Sequence, residues 1–359
     1  MRGVLLRADP KAGFTQVVGV GGIGTGTIIE LEGNQTLGRT ESRMGQALDA
    51  RDYCKLHIVE HYISVLLGAR EAQNRFRVFA VGNVGGDVAG ATLVREMAQA
   101  GIDTRYVRVE PDRSTMFSVS FLYPDKSGGN ITTSNSAACA LSNDQLNECR
   151  QELAAAGSCG IALCLPEVPI DARREFLRIA TECGSYRIAS FTSAEMGMAR
   201  KLKLLAQVDL LALNREEAAA VAGGSPGDSE EHLLDACSGQ ATAANPNMRI
   251  LVSVGADGIY IFDNGAWSHH QAVPVEVIST AGAGDALLAG TIVGLAVGLP
   301  LANCNGGISN RQAEICSAID LGRTLAAYSV TSPHTIHPEA TLESLMSFAE
   351  DKGIVVSQN

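Results

Sequence analysis

Short β-branched runs alternating with helix-length segments constrain this chain more than any other feature. Residues 15–20, 77–81, 161–165, 187–191, 208–213 and 249–254 read as buried strands, most of them followed by an amphipathic stretch. That rhythm predicts βαβ units and a mostly parallel central sheet between two helical layers, a three-layer α/β/α fold over residues 1–359. At two places the helices stop and strict alternation takes over: Thr25-Gly-Thr-Ile-Ile-Glu-Leu-Glu and Met116-Phe-Ser-Val-Ser-Phe-Leu-Tyr. These segments, about 24–39 and 114–133, predict a small β-sheet lid attached to the large sheet.

Composition narrows the function. Lys and Arg total 28 against 39 Asp and Glu, a formal charge of −11, the wrong sign for a nucleic-acid binder. The nine cysteines, Cys304 among them, form no C-x-x-C pair and read as small core residues in a reducing compartment. The N-terminal apolar run is too short for a signal peptide, and no window approaches the roughly 18 unbroken apolar residues of a membrane span. The expectation is a cytoplasmic protein with no membrane partner.

The most informative stretch is Val277-Ile-Ser-Thr-Ala-Gly-Ala-Gly-Asp285, a glycine-rich turn running into an apolar helix over about 285–297. Small residues at Gly282, Ala283 and Gly284 let a ligand approach the backbone, and the first N–H groups of the helix, with its dipole, point toward an anion. Asp285 at that helix start can accept a proton from an attacking hydroxyl, or it can simply cap the helix. Asn214 ends a strand and Glu217 lies in the first turn of the next helix, a pair that can hold water around Mg²⁺ or merely cap. Ser253, Gly255 and Gly258 follow another strand, where a hairpin turn explains them equally well.

Taken in this order, the elements resemble the ribokinase-like (PfkB) carbohydrate kinase family over nearly the whole chain. Asn214-x-x-Glu217 resembles the family's Mg²⁺-organising motif, Ser253-x-Gly255-x-x-Gly258 its nucleotide-side turn, and Ala281-Gly-Ala-Gly-Asp285 its C-terminal signature. Val81-Gly-Asn-Val-Gly-Gly-Asp-Val-Ala-Gly90 is similar to the early strand-to-helix turn, Gly129-Asn130 to the lid hairpin, and Glu167 to a position facing the sugar. The resemblance implies ATP-dependent phosphorylation of a hydroxyl on a sugar, sugar phosphate, nucleoside or similar small molecule. It makes Asp285 the general base, the 282–285 amides the anion hole, and Thr25, Asn83, Asn130 and Glu167 substrate-side residues. It implies Mg²⁺ near Asn214 and Glu217, leaves a monovalent cation open, and implies a homodimer formed through the lid. A kinase of this kind explains why none of the six lysines lies in a Walker A loop.

The chain also departs from the family pattern. The family places an Asp shortly after the first strand, whereas Gly22-Ile-Gly-Thr-Gly-Thr-Ile has no carboxylate before Glu30, so the usual substrate clamp is missing. The Gly-Gly-rich segment that normally opens the next helix is replaced by about Asp52-Tyr-Cys-Lys-Leu-His-Ile-Val-Glu-His-Tyr, after a long polar stretch over 34–51. Ala281 stands where Thr is usual, Ser279 where Asp is frequent, and Arg323 near the adenine position. Gly19-Val-Gly-Gly-Ile-Gly24 matches a dinucleotide fingerprint, but the strand pattern that follows it excludes the helix such a site needs. His57-Ile-Val-Glu60-His61 matches H-x-x-E-H and keeps a zinc hydrolase as an alternative, with a third ligand required elsewhere. A non-catalytic nucleotide or metabolite sensor of the same fold is the other alternative. The intact Asp285 and its glycine turn argue against it.

Overall fold

The computed structural model describes residues 13–69, 76–125, 127–302 and 314–356. Cys304 and the first twelve residues lie outside that set. Each of the six runs expected as buried strands is a strand of one nine-stranded sheet. In chain order they are β1 (Gln16–Val20), β5 (Arg77–Gly85), β9 (Gly160–Cys164), β10 (Tyr186–Ala189), β11 (Leu210–Asn214) and β12 (Arg249–Ser253). With β6 (Asp103–Glu110), β13 (Ile259–Asp263) and β14 (Ala266–His270), the order across the sheet is β14-β13-β12-β11-β10-β9-β1-β5-β6. All pairs from β12 to β6 are parallel, and only the β13–β14 edge runs antiparallel.

Alternation along these strands splits the core in two. Val17, Ala80, Leu163, Ile188 and Leu251 face one layer; Val18, Phe79, Cys164, Ala189 and Val252 face the other. The first layer holds α1 (Lys55–Leu66), α2 (Val88–Ala100), α8 (Ala283–Ala296), α9 (Ala318–Ser329) and α10 (Leu342–Asp351). The second holds α3 (Asn143–Ala156), α4 (Ile170–Glu182), α5 (Met196–Lys201), α6 (Arg215–Ala222) and α7 (Glu230–Ala244). Cys54, Cys149, Cys164 and Cys237 are buried in this packing. Every residue of α8 from Ala286 to Ala296 is buried, so the helix carrying the glycine-turn signature is fixed on all sides.

The small sheet is assembled from β2 (Gly24–Leu31), β7 (Met116–Leu122) and β8 (Gly128–Thr132), as the alternation predicts. It also gains β3 (Gly45–Ala47), from the stretch that reads as merely polar, and β4 (Asp52–Tyr53), from the start of the segment after it, both beside β2. These strands are two and three residues long, too short to leave a periodic signal. Since β2 begins at Gly24, the dinucleotide fingerprint opens a strand and no helix. No helix among the described residues is long and apolar enough to cross a membrane.

Candidate active site

A cavity of about 930 Å³ lies where the small sheet meets the start of α8, and Asp52, Lys55, Ser118, Ser120, Glu167 and Asp285 line it among others. Helix α8 enters through Gly282, whose φ of +78° suits glycine and whose hypothetical β carbon would sit 2.6 Å from the Thr335 carbonyl oxygen. Only glycine fits this position. Gly282 is the residue flanking the helix, and no side chain caps it, so Asp285 lies inside the first turn and is not the cap. The Gly284 and Asp285 N–H groups belong to that first turn, where no earlier helical carbonyl is available to them.

Lys55, at the start of α1, places its Nζ 3.5 Å from Asp285 Oδ1. Burial pushes the Asp285 carboxyl above its ordinary value, and the Lys55 ammonium opposes that push. Asp285 in turn raises the Lys55 ammonium, with Glu217 and Glu167 adding to it against burial. One cation thus serves two carboxyls of the cavity lining, Asp285 and Glu167, and Glu217 outside it.

Glu167 is the most perturbed of these carboxyls. Burial lifts it to about 7, while Lys55 pulls it down. Its Oε2 accepts a hydrogen bond from the Lys55 backbone N–H at 3.3 Å. The backbone at Glu167 is left-handed, φ 74°, a conformation that costs a non-glycine residue about 1–3 kcal/mol and is characteristic of functional sites.

Asp52 supplies a carboxylate that sequence reasoning did not find. Strand β4 pairs Asp52 with Gly26 of β2, and a β carbon at Gly26 would lie 2.5 Å from Asp52 Oδ2. The carboxylate therefore occupies the space a side chain on β2 would fill, on a strand that has none of its own to offer there. Asp52 Oδ2 accepts hydrogen bonds from Ser118 Oγ at 2.9 Å and Ser120 Oγ at 3.0 Å. Burial raises this carboxyl, the two hydroxyls oppose the rise, and Asp285 adds to it. The only sequence signal is that Asp52 and Lys55 interrupt the approach to an apolar helix, with no motif to assign them.

The structure brings Gly282, Asp285, Asn130 and Glu167 together around this cavity. Asn130 Nδ2 donates to Ser120 Oγ at 3.0 Å, which ties it to the Asp52 network. Ala283 and Gly284 follow Gly282 in the first turn of α8. Thr25 is not in the lining; it pairs with Phe117 and Tyr53 on the opposite face of the small sheet and donates to the Asp52 carbonyl. Asn83 is fully buried, donates to Glu110 at 3.0 Å, and is likewise outside the lining.

Asn214 and Glu217 form a reciprocal capping box on α6. The Glu217 N–H donates to Asn214 Oδ1 at 2.9 Å, and Glu217 Oε2 accepts from the Asn214 N–H at 2.8 Å. Asn214 and Ser253 are cross-strand partners at the C-terminal ends of β11 and β12, the edge where open α/β sheets bind ligands. Gly255 and Gly258, both at positive φ, make the turn between β12 and β13. Ser279 is buried and accepts from the Ala281 N–H, and Arg323 donates to the Gln271 carbonyl. His57 and His61 share a face of α1, while the Glu60 carboxyl is buried against Gly19. No three His, Cys, Asp or Glu groups able to hold a metal occur among the described residues, so the zinc reading lacks its third ligand.

A doubly covered parallel sheet, a small β lid and a glycine-turn helix start opposite a carboxylate-rich wall define a ribokinase-like kinase. The chain belongs to the pfkB family of carbohydrate kinases, whose family model matches residues 63–342. It is 23% identical to a ribokinase of Haemophilus influenzae over 276 residues, 76% of this chain and 82% of that protein. Among solved structures it is similar to ribokinase from Giardia lamblia, with a TM-score of 0.72 at 15% identity, covering 94% of this chain and 99% of the other. It is also similar to aminoimidazole riboside kinase from Salmonella enterica complexed with aminoimidazole riboside and an ATP analogue. There the TM-score is 0.63 at 17% identity, covering 93% of this chain and 99% of the other.

Proposed function

We propose that this kinase transfers the γ-phosphoryl group of ATP to a hydroxyl of an uncharged polyhydroxylated molecule, a sugar or a riboside, with Asp285 as general base. The observation that carries the reading is Asp285 in the first turn of α8, beside the Gly282 turn and in one cavity with Asp52 and Glu167. Asp285 takes the proton of the acceptor hydroxyl as its oxygen bonds to the γ-phosphorus and ADP leaves with the bridging oxygen. The first-turn amides of α8 and the Lys55 ammonium stabilise the charge that develops on the transferring group. Asp52 and Glu167 accept hydrogen bonds from acceptor hydroxyls. Asp285 and Asp52 stand against one ammonium among these groups, and Glu167 adds charge only as pH rises past about 7, so the wall offers no net positive charge to an acceptor that already carries phosphate.

The Asn214–Glu217 pair fits a hydrated Mg²⁺. The capping box engages one Glu217 oxygen, leaving the other as a hard donor of the kind Mg²⁺ takes through water. When bound, the ion neutralises phosphate charge. Changing Asn214 or Glu217 to Ala is expected to raise the Mg²⁺ concentration needed for half-maximal rate. A homodimer through the lid is supported by Phe117 and Ile131, which are exposed on the face of the small sheet turned away from the cavity. Sedimentation of the purified protein checks it.

The test is ADP release from Mg-ATP across sugars, sugar phosphates, nucleosides and polyols, with Asp285→Asn protein as the blank. Release that depends on both an uncharged acceptor and Asp285 establishes the reading. Faster turnover of sugar phosphates overturns the charge argument. ATP binding with no turnover on any acceptor returns the protein to the sensor class.

A further inference from the structure

A second cavity, also about 930 Å³, lies on the other side of strand β4 from the catalytic one. The two share a wall built by alternation. Arg51 and Tyr53 line the second cavity and Asp52 between them lines the first, although Tyr53 reaches both. His334 and Ile336 line the second cavity, and Thr335 between them lines the first. On α1, Lys55 serves the catalytic side while His57 and His61 serve the other. The two segments are stitched together: the Arg51 N–H donates to His334 Nδ1 at 2.8 Å, the Thr335 N–H to the Arg51 carbonyl at 3.1 Å, and the Tyr53 N–H to Thr335 Oγ1 at 3.0 Å.

The lining of this cavity selects a ligand chemistry. Arg51 Nη1 is committed to Glu96 Oε1 at 2.7 Å, and Glu96 Oε2 also accepts from Tyr53 at 3.0 Å. Arg51 is the only Lys or Arg among the described lining residues, against the carboxylates of Glu96 and Glu343. That balance repels phosphates and carboxylates. His57 and His61 each have an Nδ1 that is buried and without a hydrogen-bond partner. Burial lowers His57 to about 3 and His61 to about 4, so both rings are neutral and each offers one donor and one acceptor. Tyr53 and His57 meet edge to face, with ring centroids 4.6 Å apart, and Val65, Ile336 and Ala340 supply apolar surface. A flat apolar face with mixed donors and acceptors along its edge is the complement of such a lining.

We propose that the second cavity binds an uncharged, planar nitrogen heterocycle of nucleobase size, and that its occupant shifts the catalytic pocket through the shared 51–53 and 334–336 wall. This lies beyond phosphoryl transfer itself and does not depend on which acceptor the kinase uses. An occupant touches Arg51, Tyr53 and His57, and the same backbone carries Asp52, Lys55 and Thr335. By linkage, the heterocycle and the catalytic-site ligands then alter each other's affinity by the same factor.

Calorimetric titration of the full-length protein with adenine, hypoxanthine, cytosine and uracil tests the proposal. The protein is held saturated with Mg²⁺ and a non-hydrolysable ATP analogue, so that the nucleotide site is filled. At least one base is expected to bind with one-to-one stoichiometry. His61→Leu is expected to weaken that binding at least about fivefold, and Val65→Trp, which sets an indole in the lining one helical turn from His61, to weaken it at least as much. Both variants are expected to keep the wild-type affinity for the ATP analogue without base. In the wild type, the base is expected to change that affinity at least about twofold. The proposal is overturned if no base binds more tightly than about 10 mM, if binding survives both variants, or if a nucleoside monophosphate outcompetes its own base. If Val65→Trp does not fold, His61→Leu decides alone. Asp285-dependent ADP release, measured without base, reports on the kinase reading separately.

Discussion

One wall of the catalytic cavity is contiguous in sequence and the other is not. Gly282, Ala283, Gly284 and Asp285 supply a close backbone approach, first-turn amides and a carboxylate within four residues, and a helix buried on all sides holds them. The acceptor wall draws Asp52 from β4, Lys55 from α1, Ser118 and Ser120 from β7, and Glu167 from the turn after β9. On the proposed reading the first wall binds what every phosphoryl transfer has in common, and its geometry is local and rigid. On the same reading the second selects what is phosphorylated, and a change in one strand or loop can rebuild it without disturbing the first. In this chain β2 offers Gly26 where Asp52, from another strand, fills the space.

The largest effect expected belongs to the contiguous wall. Asp285→Asn removes the proposed base and is expected to lower kcat by about 10³-fold or more while leaving ATP-analogue affinity nearly unchanged. A variant that keeps most of its rate breaks the division of labour between the walls. Lys55→Met is next, at about 10²-fold in kcat, since it removes the ammonium beside Asp285 that the proposed mechanism sets against the developing phosphoryl charge. It also removes the group that opposes the upward push of burial on Asp285, so the acid limb of the pH–rate profile is expected to move to higher pH. An unmoved acid limb would reduce Lys55 to a brace between α1 and α8.

The contrast between the walls also explains what was legible in the sequence. Six of the nine strands of the large sheet were readable because they are largely buried and leave apolar runs, whereas β6 and β14, at the two edges and mostly half-buried or exposed, leave none. The Asp285 turn was readable because its chemistry sits in adjacent residues. Asn214 and Glu217 were readable as a pair, and the structure shows the capping reading to be true of their geometry as well. Asp52 and Lys55 were not readable as site residues, because their meaning comes from pairing between β2 and β4 and from the placement of α1 against α8. Thr25 lies in the segment where the family's substrate Asp is usual, but alternation puts it on the face opposite Gly26 and Asp52. Asn83 carries a polar side chain at an apparent strand end, yet β5 continues to Gly85 and leaves it inside the strand.

Glu167 gives a stability effect with a definite sign. Its folded value of about 7 lies above the ordinary 4.5, so between those values the folded state holds a proton that the unfolded chain has released. Stability therefore falls as pH rises through that window. The wild type is expected to lose about 2 kcal/mol between pH 5 and pH 8 from this group, and Glu167→Gln is expected to remove that part of the slope. Urea unfolding at the two pH values measures it. Identical slopes in the two proteins would place the Glu167 carboxylate in a more hydrated environment than the acceptor wall implies.

The smallest effect expected is the one that most directly separates the two walls. Asp52→Asn preserves size and one oxygen but removes the charge that accepts from Ser118 and Ser120. If Asp52 grips the acceptor, the KM for the acceptor is expected to rise about tenfold, equivalent to about 1.4 kcal/mol, while the affinity for ATP stays level. If Asp52 only joins β4 to β7, the unfolding midpoint falls and the KM does not move. Removing Asp52's partners one at a time sharpens the distinction. Ser118→Ala leaves the Ser120 bond to Asp52, so it is expected to raise the KM less than Asp52→Asn does. A larger effect from Ser118→Ala would make the hydroxyl, rather than the carboxylate, the group that meets the substrate. The acceptor wall would then be built from β7 itself, with Asp52 serving to orient it.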